Sequence, residues 1–145
     1  MGSKKRTLIL TVIFWILAGI FVVLMSYFAV PMSIKRAVFP VMAVLAFIFF
    51  LLGIVLIVLT LKLKIKGLLK KFLILTGISA AGVLAGSVLH NFLYALAVLT
   101  EHITLLHYLF EFLHAAFFII AVLLCPIGFL VGAIGGIVLF IKKKS

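Results

Sequence analysis

Acidic residues are nearly absent from this 145-residue chain, in which two Asp or Glu side chains stand against thirteen Lys and Arg. Charged residues make up 10% of the sequence and apolar residues 68%, whereas soluble proteins average about 25% and about 45–50%. A soluble body of this size is mostly surface and cannot bury so much apolar area. The composition therefore excludes a soluble domain and predicts one domain that resides in a lipid bilayer.

The motifs of common enzymes are also missing. Cys125 is the single cysteine, so the chain cannot form an internal disulfide. There is no Gly-rich phosphate loop, no Gly-x-Ser-x-Gly nucleophile elbow and no Cys-x-x-Cys pair. The basic residues form short clusters between long uncharged runs and belong to no base-reading module, which argues against nucleic acid as a partner. We expect no catalytic activity and no cofactor.

Four long runs carry no charged residue: 7–30, 37–61, 72–100 and 115–141. At 1.5 Å per helical residue, each can span a hydrocarbon core of about 30 Å. The first run exceeds the apolar core of a cleaved signal peptide, about 7–15 residues, so we expect it to be retained. Between the last two runs, residues 101–114 have helical spacing and predict a short connector helix, either lying in the interface or extending the fourth helix. The predicted fold is an all-α, four-transmembrane-helix bundle.

The basic residues predict the orientation of this bundle. Eleven of the thirteen lie in the N-terminal tail, the loop after the second run and the C-terminal tail, and only Lys35 and Arg36, in a predicted turn after Pro31, lie at the opposite end. The positive-inside rule then predicts a multi-pass protein of the cell membrane with both termini cytoplasmic. Residues 61–66 alternate like a strand, but an open strand cannot lie in hydrocarbon, so we expect Lys62–Lys71 to form an interfacial loop that contacts anionic lipid headgroups.

Small residues within the runs predict how the helices associate. Without a hydrophobic drive between helices in lipid, close backbone approach through glycine is the usual device. The third and fourth runs carry Gly-x-x-x-Gly spacings, which predict packing of these two helices against each other or against a second copy. These glycines are Gly82, Gly86, Gly128, Gly132 and Gly136. Pro126 is expected to bend the fourth helix, and Cys125 before it is expected to be a buried apolar filler.

All four histidines and both glutamates fall between residues 90 and 114, which places them at the end opposite most lysines. Surface residues of a helix end are the simplest interpretation. A metal site from His107, Glu111 and His114, with His90 as a further candidate, is an alternative, although no metal is expected. A haem between His90 and a connector histidine or a pH-sensing cluster also remains open.

The second half of the chain resembles a family of small uncharacterised prokaryotic four-helix membrane proteins. The resemblance covers the blocks LTGISAAG (75–82), LHNFLYAL (89–96) and FFIIAVLLCPIGFLVG (117–132). It implies the same four-helix topology and a prokaryotic source, but no activity. The connector lies outside these blocks, which leaves His90 and Asn91 as the polar pair of greater expected weight.

The runs contain no charged side chain of the kind that proton-coupled transporters, voltage sensors and small multidrug exporters use. We therefore expect a non-catalytic accessory or interaction protein, which associates with itself or a membrane-protein partner through its glycine faces. The alternatives are an oligomeric transporter or channel for ions or small solutes, and a haem- or metal-binding membrane protein that uses the His/Glu cluster.

Overall fold

The computed structural model describes residues 3–142. Within this range the chain is a succession of helices joined by short connections. They are α1 (Ser3–Ser26), a 3-10 turn (Tyr27–Ala29), α2 (Met32–Lys62), α3 (Gly67–Leu99), α4 (Thr104–Ile119), a π-helical turn (Ile120–Leu124) and α5 (Cys125–Lys142). The segment from α4 through the π-helical turn to α5 is continuous.

Four helical segments are long and apolar enough to cross a membrane: Thr7–Ala29, Met32–Lys62, Gly67–Leu99 and Thr104–Lys142. They contain 23 to 39 residues, and at 1.5 Å per residue each exceeds a hydrocarbon core of about 30 Å. The prediction of an all-helical protein with four membrane-length helices is confirmed.

Short connections make successive segments antiparallel, which gives the bundle two chemically different ends. The basic end contains the start of α1, the loop between α2 and α3, and the end of α5. The histidine end contains the 3-10 turn, the start of α2 and the junction between α3 and α4. α3 is the central helix, because it packs against α2, α4 and α5, whereas α1 packs mainly against α2.

Aromatic rings fill the interior of the bundle. Phe21 of α1, Phe49 of α2 and Phe129 of α5 are all buried. The ring centroids of Phe21 and Phe129 lie 4.4 Å apart, and those of Phe49 and Phe129 lie 5.2 Å apart. Nearer the basic end, Phe14 packs edge-on against Phe140 at 5.4 Å. These contacts join three helices through dispersion and ring–ring attraction, the forces that remain when lipid replaces water.

Two predicted helix starts, residues 37 and 72, are wrong by several residues. α2 begins at Met32, with Pro31 as its N-cap and the amide of Lys35 donating to the Pro31 carbonyl at 3.1 Å. Lys35 therefore lies on a helix and not in a turn, and Pro40 lies inside the helix. α3 likewise begins at Gly67. A charged residue marks where the hydrocarbon ends, but a helix can continue into the polar layer because long basic side chains extend toward water.

The predicted connector helix is not a separate element. After α3 the chain leaves helical conformation between Leu99 and Thr104, and α4 is then the first part of the fourth membrane-length segment, Thr104–Lys142. The boundary predicted at residues 114 and 115 is therefore wrong, and the second alternative, an outward extension of the fourth helix, describes the structure. Residues 114 and 115 lie inside α4, where each added residue extends a hydrogen-bonded helix that has already formed.

A π-helical turn stands where a bend was predicted. It spans Ile120–Leu124, directly before Pro126, and the amide of Cys125 donates to the carbonyl of Ile120. Proline has no amide proton and its ring crowds the carbonyl four residues earlier. Widening one turn to five-residue hydrogen bonding relieves this conflict while the helix continues.

Candidate functional site

Four of the five predicted packing glycines lie where α3 meets the last helical segment. A Cβ atom built on Gly132 would lie 2.5 Å from Thr76 Oγ1 and 2.8 Å from the Thr76 amide nitrogen. A Cβ on Gly128 would meet Ser79 Oγ at 2.6 Å. The two helices therefore approach so closely that no side chain fits between them at these positions.

The other glycines of the set also face neighbours in the same chain. A Cβ on Gly82 would lie 2.5 Å from Cys125 Sγ, and one on Gly86 would lie 3.0 Å from the Ala121 Cβ. Gly136 instead faces the ring of Phe14 in α1. These glycine faces are thus occupied within the bundle. A partner or a second copy would therefore have to bind another surface of the bundle.

The glycine spacings did not predict one close helix crossing, that of α2 and α3. Gly53 of α2 and Gly77 of α3 face each other, and a Cβ on Gly53 would lie 2.8 Å from the Gly77 carbonyl oxygen. Gly53 is the only glycine of α2, and a lone glycine inside an apolar helix is a signal that could have indicated this contact.

At the histidine end, His90 of α3 is joined to His114 of α4. His90 Nδ1 lies 2.9 Å from the backbone carbonyl oxygen of His114, a hydrogen bond in which the ring nitrogen donates. The two ring centroids lie 5.1 Å apart, Phe118 packs against His90 at 5.2 Å, and Tyr94 packs against His114 at 5.5 Å. These rings form a half-buried aromatic cluster that ties α3 to α4.

Nδ1 of the His114 imidazole has no hydrogen-bond partner among residues 3–142. This nitrogen is buried, and the nearest opposite charge is Glu111 Oε2 at 3.6 Å, one helical turn earlier. This distance is too long for a hydrogen bond but suits an ion pair when the imidazole is protonated. The pair is partly exposed, with 41% of the Glu111 side chain accessible, so its attraction is weak in water.

The candidate metal ligands do not converge. His107 Nδ1 lies 3.0 Å from the carbonyl oxygen of Ala97 and so fastens the start of α4 to the end of α3. His102 and Glu101 are exposed on the connection between these helices. Among residues 3–142 no group of three or more His, Cys, Asp or Glu side chains is arranged to hold a metal ion.

The predicted polar pair of His90 and Asn91 is not a contacting pair in the structure. Asn91 is exposed and its Nδ2 donates to the Ser87 carbonyl of the same helix at 2.8 Å. Adjacent residues project about 100° apart around a helix, so only His90 faces α4. The partner of His90 is His114, which the sequence could not indicate because the register between α3 and α4 was unknown.

At the basic end, apolar side chains alternate with lysines along the loop Leu63–Lys66. Leu63 and Ile65 are partly buried and pack against the core, whereas Lys62, Lys64 and Lys66 are exposed. The alternation that resembles a strand is therefore a loop whose side chains point alternately toward the bundle and away from it. Lys64 adopts a left-handed conformation with φ 49°, which reverses the chain tightly before α3.

Beside this loop lies a groove of about 900 Å³, which we term the basic-end groove. α1, the loop, the start of α3 and the end of α5 all contribute to its walls. The lining residues are Thr7, Leu10, Thr11, Trp15, Leu63, Ile65, Lys66, Leu68, Leu69, Ile137, Leu139, Phe140 and Ile141. At the opposite end, a cavity of about 860 Å³ is lined by Tyr27, Met32, Ser33, Lys35, Arg36 and Phe39.

Comparison with known proteins adds no family to this description. The chain matches no protein-family model, and neither a curated protein nor a solved structure matches it.

Proposed function

We propose that the chain is an integral, multi-pass membrane protein that acts as a non-catalytic accessory or interaction partner. The observation that carries this proposal is the packed interior. Phe21, Phe49 and Phe129 pack where a pore or substrate site would need open, polar space, and the Lys, Arg, Asp and Glu residues belong to the two ends of the bundle. A bundle of this kind offers other molecules its outer faces and its ends.

The buried polar groups of the described residues support the same proposal. Thr60 and Thr76 are fully buried, and each hydroxyl donates to a carbonyl of its own helix, Leu56 at 2.7 Å and Phe72 at 2.8 Å. A hydroxyl whose proton is bonded within its own helix is compatible with an apolar interior.

We further propose that both termini are cytoplasmic and that the protein resides in a prokaryotic cell membrane. Eleven basic residues belong to segments of the basic end, against Lys35 and Arg36 at the other. Membrane insertion favours the end richer in Lys and Arg on the cytoplasmic side. A reporter active only in the cytoplasm, fused after Ser145, should be active. An active extracytoplasmic reporter at the same position would refute the orientation.

The accessory role is tested by flux and by association. Proteoliposomes containing the purified chain should show no saturable or gated passage of ions or small solutes beyond that of empty liposomes. Mild-detergent purification with chemical crosslinking should recover a second copy or a discrete membrane-protein partner. Saturable flux would instead support the transporter or channel alternative.

The haem or metal alternative depends on the histidine end and has its own readout. The purified protein should show no Soret absorbance and no stoichiometric zinc, iron or copper, because no group of three or more His, Cys, Asp or Glu side chains within residues 3–142 is arranged to hold a metal ion. A Soret band, or bound metal that is lost in His114→Ala, would contradict the proposal.

A further inference from the structure

The basic residues of this protein have almost no counter-charge in their own chain. Both acidic side chains, Glu101 and Glu111, belong to the histidine end, whereas Lys62, Lys64 and Lys66 stand exposed at the other end of the bundle. Clustered ammonium groups repel one another, and an exposed cluster without carboxylates attracts anions from its surroundings. The counter-charge for the basic end must therefore come from another molecule.

The basic-end groove adjoins this cluster and is apolar inside. Leu10 is fully buried within it, while Trp15, Leu68 and Ile141 remain 52%, 60% and 62% exposed along its sides. Exposed apolar side chains beside a groove are unfavourable in water but suit hydrocarbon chains. Its volume of about 900 Å³ falls within the range of ligand sites, about 300–1,000 Å³.

Polar groups occur on the same walls. Lys66 lines the groove, as do the hydroxyl-bearing Thr7 and Thr11, and Lys5 and Lys142 are exposed at the same end. Lys66 also precedes the first turn of α3, so the positive end of that helix dipole adds to the field of the lysines. A molecule with an anionic head and an apolar tail matches this arrangement of charge and surface.

We propose that the basic-end groove is a binding site for one anionic phospholipid. Its acyl chain lies against Trp15, Leu68 and Phe140, and its phosphate is held by Lys62, Lys64 and Lys66. The alternating sequence around the loop after α2 fits this site, since Leu63 and Ile65 line the groove while Lys64 between them, and Lys62 and Lys66 on either side, face the headgroup. The site rests on the proposed membrane location and names the lipid class that such a protein selects.

The chain contains its own probe, because Trp15 is the single tryptophan and lines the groove. The full-length protein is reconstituted in phosphatidylcholine bilayers that contain a small fraction of lipid with brominated acyl chains, which quench tryptophan on contact. The comparison is between brominated phosphatidylglycerol, which is anionic, and brominated phosphatidylcholine, which is zwitterionic. We expect phosphatidylglycerol to quench as if enriched about fivefold next to Trp15.

Two variants separate this site from general attraction to a charged surface. K62Q/K64Q/K66Q removes the last lysine of α2 and both lysines of the loop, and should bring the quenching ratio close to one. K35Q/R36Q removes the basic pair beside the cavity at the histidine end and should leave the ratio unchanged. Circular dichroism establishes that each variant is helical, and single lysine substitutions report the same effect if the triple variant does not fold.

The remaining comparison distinguishes a lipid from a free phosphate. Soluble glycerol phosphate, which has the anion but no acyl chain, should not restore Trp15 fluorescence at millimolar concentration. Restoration would overturn the lipid proposal, as would a ratio near one in the unmodified protein or an unchanged ratio in K62Q/K64Q/K66Q. None of these results bears on solute flux or copurification, so failure of this site is distinguishable from failure of the accessory role.

Discussion

Replacing Gly132 by alanine adds one methyl group at the closest approach of α3 and α5. The new Cβ would lie 2.5 Å from Thr76 Oγ1, 2.8 Å from the Thr76 amide nitrogen and 3.0 Å from the Phe72 carbonyl oxygen. Two of these three atoms are backbone, so rotation of a side chain cannot relieve the overlap. The helices must separate, which loosens contacts along their whole interface.

The expected cost is about 3 kcal/mol, the upper part of the range for overpacking, because the backbone itself must move. Equilibrium unfolding in mixed dodecylmaltoside and sodium dodecyl sulfate micelles, followed by Trp15 fluorescence, measures this cost as a change in the free energy of unfolding. Gly19→Ala is the matched control, since a Cβ at Gly19 has no atom within 4 Å. Alanine there should be neutral or stabilising by up to about 1 kcal/mol through helix propensity.

A second glycine tests the reasoning more closely. A Cβ on Gly82 would clash with Cys125 Sγ at 2.5 Å, but the next atom, the Cys125 Cβ, is 3.9 Å away. Cys125→Ala should therefore rescue Gly82→Ala, with a favourable coupling energy of about 1 kcal/mol or more. Thr76→Ala should not rescue Gly132→Ala, because the backbone contacts persist. If Gly132→Ala costs less than about 0.5 kcal/mol, or if Thr76→Ala restores it fully, the close-approach argument is refuted.

Two other predictions use the same unfolding measurement. Phe129→Ala should cost about 3–5 kcal/mol, because it empties the centre of the aromatic core. The control is Phe112→Ala: Phe112 is 70% exposed, so its loss should change the free energy of unfolding by less than about 0.5 kcal/mol. Equal effects of the two substitutions would contradict the assigned core. His90→Ala should cost about 1 kcal/mol through loss of its bond to the His114 carbonyl, whereas Asn91→Ala should have little effect because Asn91 bonds only within its own helix. A larger loss of stability in Asn91→Ala than in His90→Ala would contradict these assigned contacts.

Hydropathy predicted the four membrane-length helices, and the distribution of charged residues predicted the two chemically different ends of this bundle. An uncharged run of membrane length has few alternatives to a spanning helix. The boundaries at residues 37 and 72 were wrong because charge reports the polar layer and not the end of hydrogen bonding. Small-residue spacing likewise indicated which faces of α3 and α5 come close, since only glycine permits such contact.

The site details depended on register, which periodicity alone does not contain. Whether His90 faces His114 or His107 is decided by a shift of two helical turns along α4. The pairing of Gly53 with Gly77 follows from how α2 crosses α3. Similarly, apolar and basic residues alternate in the loop Leu63–Lys66. Which set faces the bundle became clear only from the packing of Leu63 and Ile65 against the core.

The contact between Phe21 and Phe129 has a consequence for how the chain is made. One ring belongs to the first helix and the other to the last, and their centroids lie 4.4 Å apart. At a synthesis rate of about 5–20 residues per second, roughly 5 to 20 s pass between the two residues. During that interval Phe21 can stack on Phe49 of α2, whose ring centroid lies 6.3 Å away, but its contact with α5 is missing. The core of this bundle is complete only when α5 is present, so synthesis of α5 sets the earliest time at which the core can close.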